Sequence, residues 1–308
     1  MSLVEMLSLD ELSDGLANLP MFPYFEIAHY VVSVVALREQ PGAIGLSRIS
    51  PLACWFSSML HCFGGAVLSG LMLAEPPIAP LSNSDNILLA TFIWYLIFYC
   101  PMDMFYNFTR VVPVRVVLSA MKEVTRTWKI LGGITEAQDK YQDNLLVMIA
   151  VGWAKGAGGS LISNFEQLVR GIWRPETNEL IKMSYPTKIT LLGAVLFALE
   201  EAEYLPVEKN HLMLFYTLFT VINKCRMMLT GSSYFPFAPM EWLLFEVLFM
   251  GRLPNFTLRQ ICGFIMVDNG RARVTRANKD WRENRHNCPS PVRGTRRGRD
   301  EADGKKYK

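Results

Sequence analysis

The chain has 308 residues, 51% of them hydrophobic, 12% aromatic and 19% charged, with a formal net charge of +3. Soluble domains carry roughly 25% charged residues, and the charge here is uneven: residues 270–308 hold 13 Lys/Arg against 5 Asp/Glu, so the chain before them is net acidic. An apolar body with a basic tail argues against a soluble enzyme or a nucleic-acid-binding protein, and for an integral membrane protein.

Residues 1–20 are acidic (Glu5, Asp10, Glu11, Asp14) and lack the basic start of a cleavable signal peptide. The first apolar segment therefore reads as a signal anchor. A bilayer crossing needs about 20 mostly apolar residues. Seven segments approach this: 22–37, 51–73, 87–106, 111–128, 145–169, 187–199 and 212–229. Pro41-Gly42 and Pro76-Pro77 separate the early segments, and Pro175, Pro186 and Pro206 the later ones. The expected architecture is an all-α membrane protein. A luminal N-terminal segment (1–20) precedes a seven-helix domain (21–232) and a cytoplasmic, largely disordered tail (233–308). Within that tail, residues 240–250 are apolar and 261–267 are too few to span. The six cysteines show no CxxC spacing and mostly sit in apolar runs, so they read as reduced, buried thiols.

Charge sets the orientation. The segments after spans one, three and five hold Arg38, Arg48, Arg110, Arg115, Arg170, Arg174 and Lys182. The N-terminus and the segments after spans two, four and six hold only Lys129, Lys140 and Lys209. The positive-inside rule then puts the N-terminus in the lumen and the C-terminus in the cytoplasm. Termini on opposite sides require an odd number of spans, and seven is odd.

A repeat is visible at a shift of 94 residues: Gly64-Gly65-Ala66-Val67-Leu68-Ser69 in span two against Gly158-Gly159-Ser160-Leu161-Ile162-Ser163 in span five. Spans one to three and four to six become two copies of a three-helix unit. Three is odd, so the copies are inverted in the membrane, an arrangement common in transport proteins with interrupted helices near the midplane. The glycine pairs can bend a helix and expose carbonyls to a pore, or let two helices pack closely.

Lys122 and Arg126 lie four apart in span four and share a helix face. If the helix begins near residue 111, Lys122 lies about 16 Å along it, near the centre of a slab about 30 Å thick. There it must meet water, a counter-charge or an anionic headgroup. The alternative is that the span ends earlier and the cluster is an interfacial anchor. Lys155, beside Gly156-Ala157-Gly158-Gly159, is either a pore-facing charge or half of a buried ion pair, with Glu166 or a carboxylate of another helix. His29 and His61 each stand alone in an apolar span and read as hydrogen-bonded core residues. Glu200, Glu201 and Glu203 form an acidic cluster that reads as a solvated helix end. No P-loop, nucleophile elbow, zincin or Rossmann pattern is present, and no cofactor or metal is expected.

Several stretches together resemble the trimeric intracellular cation (TRIC) channel family: Gln40-Pro-Gly-Ala43, Met59-Leu-His-Cys-Phe-Gly-Gly65, Met121-Lys-Glu-Val-Thr-Arg-Thr-Trp-Lys129, Ser163-Asn-Phe-Glu166, Trp173-x-Pro-Glu176 and Met183-Ser-Tyr-Pro186. The run Thr125-Arg-Thr-Trp-Lys-Ile130 and Phe237-Ala-Pro239 favour the B type. The resemblance implies a homotrimer with one pore per protomer in the endoplasmic or sarcoplasmic reticulum. That pore would pass potassium as counter-ion to calcium release. It further implies a bound phosphoinositide, phosphatidylinositol 4,5-bisphosphate, on Lys122 and Arg126, with Gly64-Gly65 and Gly158-Gly159 at kinks of the second and fifth helices. A secondary transporter with alternating access would suit the same inverted repeats. The partly apolar, arginine-rich stretch after residue 240 departs from the lysine-rich tails of the family.

Overall fold

The computed structural model describes residues 3–142, 144–172, 178–231 and 237. Eleven α-helices lie among them. α1 (Leu3–Ala17) precedes the first apolar segment, α2 (Tyr24–Arg38). α3 (Ala43–Ile49) is a short turn of helix entered through Gly42, whose φ of +86° suits glycine. α4 (Pro51–Met72) starts on Ser50, whose hydroxyl accepts from Ala53 N at 3.4 Å, with proline in its first turn. α5 (Ser84–Tyr99) starts on Asn83, whose side chain accepts from Asp85 N and Asn86 N. α6 (Met104–Arg110), α7 (Val112–Tyr141), α8 (Leu145–Leu161), α9 (Ser163–Val169), α10 (Tyr185–Glu201) and α11 (Lys209–Thr230) follow. Gly231, at φ +66°, stops α11. The expected tail (233–308) and the Trp173-x-Pro-Glu176 stretch lie outside the described residues, Phe237 apart.

The apolar segments become helices, with three differences. The third segment does not run straight to residue 106. It ends at Tyr99, and the chain turns by 94° into α6. Met102 and Asp103 both take positive φ in that turn. Arg38 secures it from α2: its guanidinium donates to the Ile97 carbonyl at the end of α5 and to Asp103 Oδ1 at 2.7 Å, and lies 4.1 Å over the Tyr106 ring. A cation at a helix C-terminus satisfies orphan carbonyls and complements the dipole. The fourth segment continues past Trp128 as one helix of 30 residues. Lys129, expected in a connecting loop, therefore sits inside α7. The fifth segment breaks at Ile162 into α8 and α9.

Among the described residues, three helices taken alone are long and apolar enough to cross a bilayer: Pro51–Met72, Leu145–Val169 (α8 with α9) and Lys209–Thr230. The bent α5–α6 pair makes a fourth. α2 and α10 are shorter, at 15 and 17 residues, and α7 is too polar to qualify. Outward faces are apolar in helical stripes, such as Leu88, Phe92 and Tyr95 on α5 and Phe215, Leu218 and Ile222 on α11. A folded, all-helical chain with such faces outward is built for hydrocarbon.

One core joins α2, α4 and α5 through Tyr30, Val34, Leu37, Met59, Phe63, Ile93 and Ile97. A second gathers Ile130 and Ile134 of α7, Met148 and Val151 of α8, and Ile189 and Phe197 of α10, all at most 1% exposed. The two sets meet where α4 crosses α8. A Cβ on Gly65 would collide with the Lys155 carbonyl, and one on Gly158 with Gly65 Cα. A Cβ on Gly64 would stand 2.8 Å from Ile162 Cγ2, and one on Gly159 would stand 3.0 Å from the His61 carbonyl. The contact of Gly65 with Lys155 and that of Gly159 with His61 exchange under the 94-residue shift. Such reciprocal contact is what a local two-fold axis produces.

The crossing makes a prediction. Gly65→Ala drives a methyl into backbone that cannot swing aside, and should lower stability by about 1–3 kcal/mol. The thermal unfolding midpoint in detergent should fall accordingly. Gly45→Ala, whose added methyl meets nothing within 4 Å, should leave that midpoint in place. Equal midpoints for the two variants would show that the crossing is loose.

Candidate functional site

α7 presents Arg115, Ser119, Lys122, Arg126 and Lys129 at alternating spacings of four and three, which is one face of a helix. That face is turned inward. The five residues line a cavity of about 640 Å³, closed on its other sides by α2, α4, α8 and α11. The same cavity takes in Glu39 and Gln40 at the end of α2, His61 and Gly65 of α4, Lys155 and Gly159 of α8, and Lys224 of α11.

α2 and α7 run antiparallel, and their polar residues meet in order. Arg115 Nη2 is 4.0 Å from Glu39 Oε2, Lys122 Nζ donates to Ser33 Oγ at 3.0 Å, and Lys129 Nζ lies 3.9 Å from Glu26 Oε2. Thr125 adds a hydrogen bond to the Phe25 carbonyl at 3.4 Å. Arg126 pairs with Glu123 one turn back on its own helix, and both are buried, at 8% and 1% exposure. Thr127 of α7 and Thr217 of α11 share a hydrogen bond at 3.1 Å, which fixes α11 against α7.

Lys122 and Arg126, singled out from the sequence, thus lie inside the bundle and on one cavity wall. They are not at an exposed helix end. Lys155 pairs with Glu136 of α7; Glu166, the other partner considered for it, is engaged elsewhere. The glycines divide: Gly65 and Gly159 line the cavity as well as the helix crossing, whereas Gly64 and Gly158 serve the crossing alone. His29 bonds the Cys62 carbonyl at 3.0 Å, as a core histidine does. Both histidines border the cavity, but His61 differs from the hydrogen-bonded core reading, because its Nε2 makes no hydrogen bond and faces Glu166 Oε2 at 3.5 Å.

Sequence reasoning passed over Glu123, Ser33, Glu26 and Lys224. Glu123 was legible, since it stands three residues before Arg126. Lys224 was legible in part, since it is an ammonium inside a predicted span, though without a basic residue four places along to share its face. Ser33 and Glu26 carried no signal, because only the packing of α2 on α7 gives them partners.

The charges on the cavity wall are mostly balanced. Arg115, Arg126, Lys129, Lys155 and Arg170 each have a carboxylate within 4.0 Å. Lys122 and Lys224 have none among the described residues, and Lys122 has only the Ser33 hydroxyl. Lys122 and Lys224 thus face one cavity without a carboxylate, an arrangement whose chemistry suits an anion with several oxygens.

A sequence profile described as TRIC channel matches residues 40–231. Among known proteins, the trimeric intracellular cation channel type B of Danio rerio is 63% identical, covering 83% of this chain and 89% of its own length. The type A channel of Gallus gallus is 47% identical, over 81% and 84%. A solved TRIC counter-ion channel, described for its activity in calcium release, superimposes with a TM-score of 0.71 at 57% identity, covering 72% of this chain and 99% of its own.

The Glu123–Arg126 pair can be tested directly. Glu123→Gln strands a buried guanidinium, and the loss should be about 3 kcal/mol, read as a lower thermal midpoint. The double variant E123Q/R126Q should recover at least half of it. An unchanged midpoint for E123Q would mean that cavity water solvates Arg126 as well as the carboxylate does.

Proposed function

The chain belongs to the TRIC channel family, and from that premise we propose that it is a B-type, homotrimeric potassium channel of the endoplasmic or sarcoplasmic reticulum. It carries counter-ion current while calcium leaves the store. Each protomer conducts through its own cavity. Seven helices cross the membrane: α2, α4, α5, α7, α8, α10 and α11. The first six form two inverted three-helix repeats about the α4–α8 crossing, with the N-terminus luminal and the tail cytoplasmic. The reciprocal contacts of Gly65 with Lys155 and Gly159 with His61 support that repeat. The short α2 and α10 and the polar α7 cross because neighbours bury their polar faces.

The observation that carries this reading is the cavity walled by the polar face of α7. A cation pathway lined by bare positive charge would repel potassium. Here the charges are mostly matched by carboxylates from facing helices, which leaves Lys122 as the exception on α7. A phosphoinositide headgroup, bound chiefly by Lys122 beside Arg126, supplies the missing negative charge. It thereby couples the channel to the lipid composition of its membrane.

Lys122→Ala should weaken binding of phosphatidylinositol 4,5-bisphosphate in vesicles by about tenfold or more, the loss of one charge-assisted hydrogen bond. Planar-bilayer recordings of the wild-type protein should give discrete unitary potassium currents. Unchanged lipid binding by K122A would discard the headgroup site. Slow saturable flux without unitary events would discard the channel in favour of a transporter.

A further inference from the structure

The residue three places before each glycine pair is polar: His61 in α4 and Lys155 in α8. The two exchange under the 94-residue shift and line the same cavity on either side of the crossing. Each faces a carboxylate from a helix beyond that crossing. Lys155 pairs with Glu136 of α7, and His61 Nε2 stands 3.5 Å from Glu166 Oε2 of α9. Their chemistry differs. A lysine keeps its charge, whereas an imidazole is the side chain that ordinarily changes charge between about pH 5 and 8.

The carboxylate facing His61 is already engaged. Glu166 is fully buried, with Arg170 Nε 2.6 Å from its Oε1 and Arg170 Nη2 2.9 Å from its Oε2. Arg170 also donates to the Gln40 side chain and to the Pro41 carbonyl, which ties α9 to the turn after α2. Glu166 and Arg170 therefore cancel. His61 Nε2 is buried with no hydrogen bond from the protein. The remaining charged or titratable groups around His61 are fixed in the frame. α2 supplies His29, bonded to Cys62. α7 supplies Lys122, Arg126 and Lys129, which share the cavity wall, and α8 supplies Lys155. The charged or titratable groups of α3 and α5 are Arg48, Asp85, Tyr95 and Tyr99, and none forms an ion pair or hydrogen bond with His61. With Glu166 balanced by Arg170, a proton on His61 adds a full positive charge to a wall that already carries Lys122 without a carboxylate.

We propose that His61 is a proton-sensitive charge in the cation pathway: acidification protonates it, and the added charge at the α4–α8 crossing lowers potassium conductance. The proposal rests on reading the cavity as the pathway. A unit charge within about 8 Å of a cation, at a water-like dielectric, changes the local cation concentration by about twofold or more. The dependence is on the pH of the cavity, whose wall includes Glu39, Gln40 and Arg170 at helix ends that the proposed topology puts on the cytoplasmic side.

The test is single-channel recording of the full-length protein in planar bilayers under symmetrical potassium, with the cytoplasmic side stepped between pH 7.5 and 5.5. Wild-type conductance should fall about twofold on acidification. In H61Q the ratio between the two pH values should approach one, whatever the absolute conductance. H61N serves if H61Q is not monodisperse in detergent. A flat wild-type ratio, or a wild-type ratio retained by both variants, would overturn the proposal. A separate arm tests the pathway itself. In H61C, a small cationic thiol reagent should reduce current and a neutral one of equal size should reduce it less, each compared with wild type under the same reagent. Block by the cationic reagent with a flat wild-type pH response removes the proton sensor and keeps the pathway. No difference between the reagents removes the pathway at this position, and the proposal with it.

Discussion

Charge inside an apolar bundle is the constraint that shapes this molecule. α7 brings a row of basic side chains into the interior, and each must find water, a carboxylate or a hydroxyl there. The antiparallel run of α2 provides the answers in register, with Glu39 opposite Arg115, Ser33 opposite Lys122 and Glu26 opposite Lys129. A slip of one helical turn between the two helices would separate every pair. The polar contacts thus fix the register of a helix pair that apolar packing alone would hold less definitely. They also keep open the space that becomes the cavity.

The glycine crossing sets the other dimension. Because Gly64, Gly65, Gly158 and Gly159 carry no side chain, α4 and α8 approach until backbone touches backbone. Small residues give membrane helices this close approach, where van der Waals contact replaces the missing hydrophobic drive. The crossing also places His61 and Lys155, and their partners Glu166 and Glu136, on opposite sides of one centre. Two helices that pack tightly at one point and diverge from it leave room on either side. The cavity occupies that room, and α9, which continues α8 past Ile162, brings Glu166 to face His61.

The elbow after α5 shows the same economy at the surface. An apolar helix that stopped at Tyr99 without support would leave its last carbonyls unpaired. Arg38 of α2 satisfies one of them at Ile97, holds Asp103 and stacks on Tyr106. One side chain therefore fixes the helix end, the two left-handed residues of the turn and the direction of α6. Arg38 counted toward orientation in the sequence; in the fold it is a structural clamp, 7% exposed.

The sequence by itself determined the class of fold, the approximate helices and the two features with built-in spacing. Helix formation and burial follow local apolar runs, and the Lys122–Arg126 face and the 94-residue glycine repeat are periodic, so a linear reading finds them. Their partners are not periodic. Glu26, Ser33 and Glu136 are ordinary residues until a helix far away in the chain is laid beside them. For the same reason, the sequence left Lys129 in a loop and His61 in a core. Where α7 ends depends on how its polar face is sheltered, and what a histidine faces depends on which helix breaks opposite it. Tertiary structure decided these matters, because the free energy of a buried charge is set by atoms within a few ångströms in space, at whatever distance along the chain.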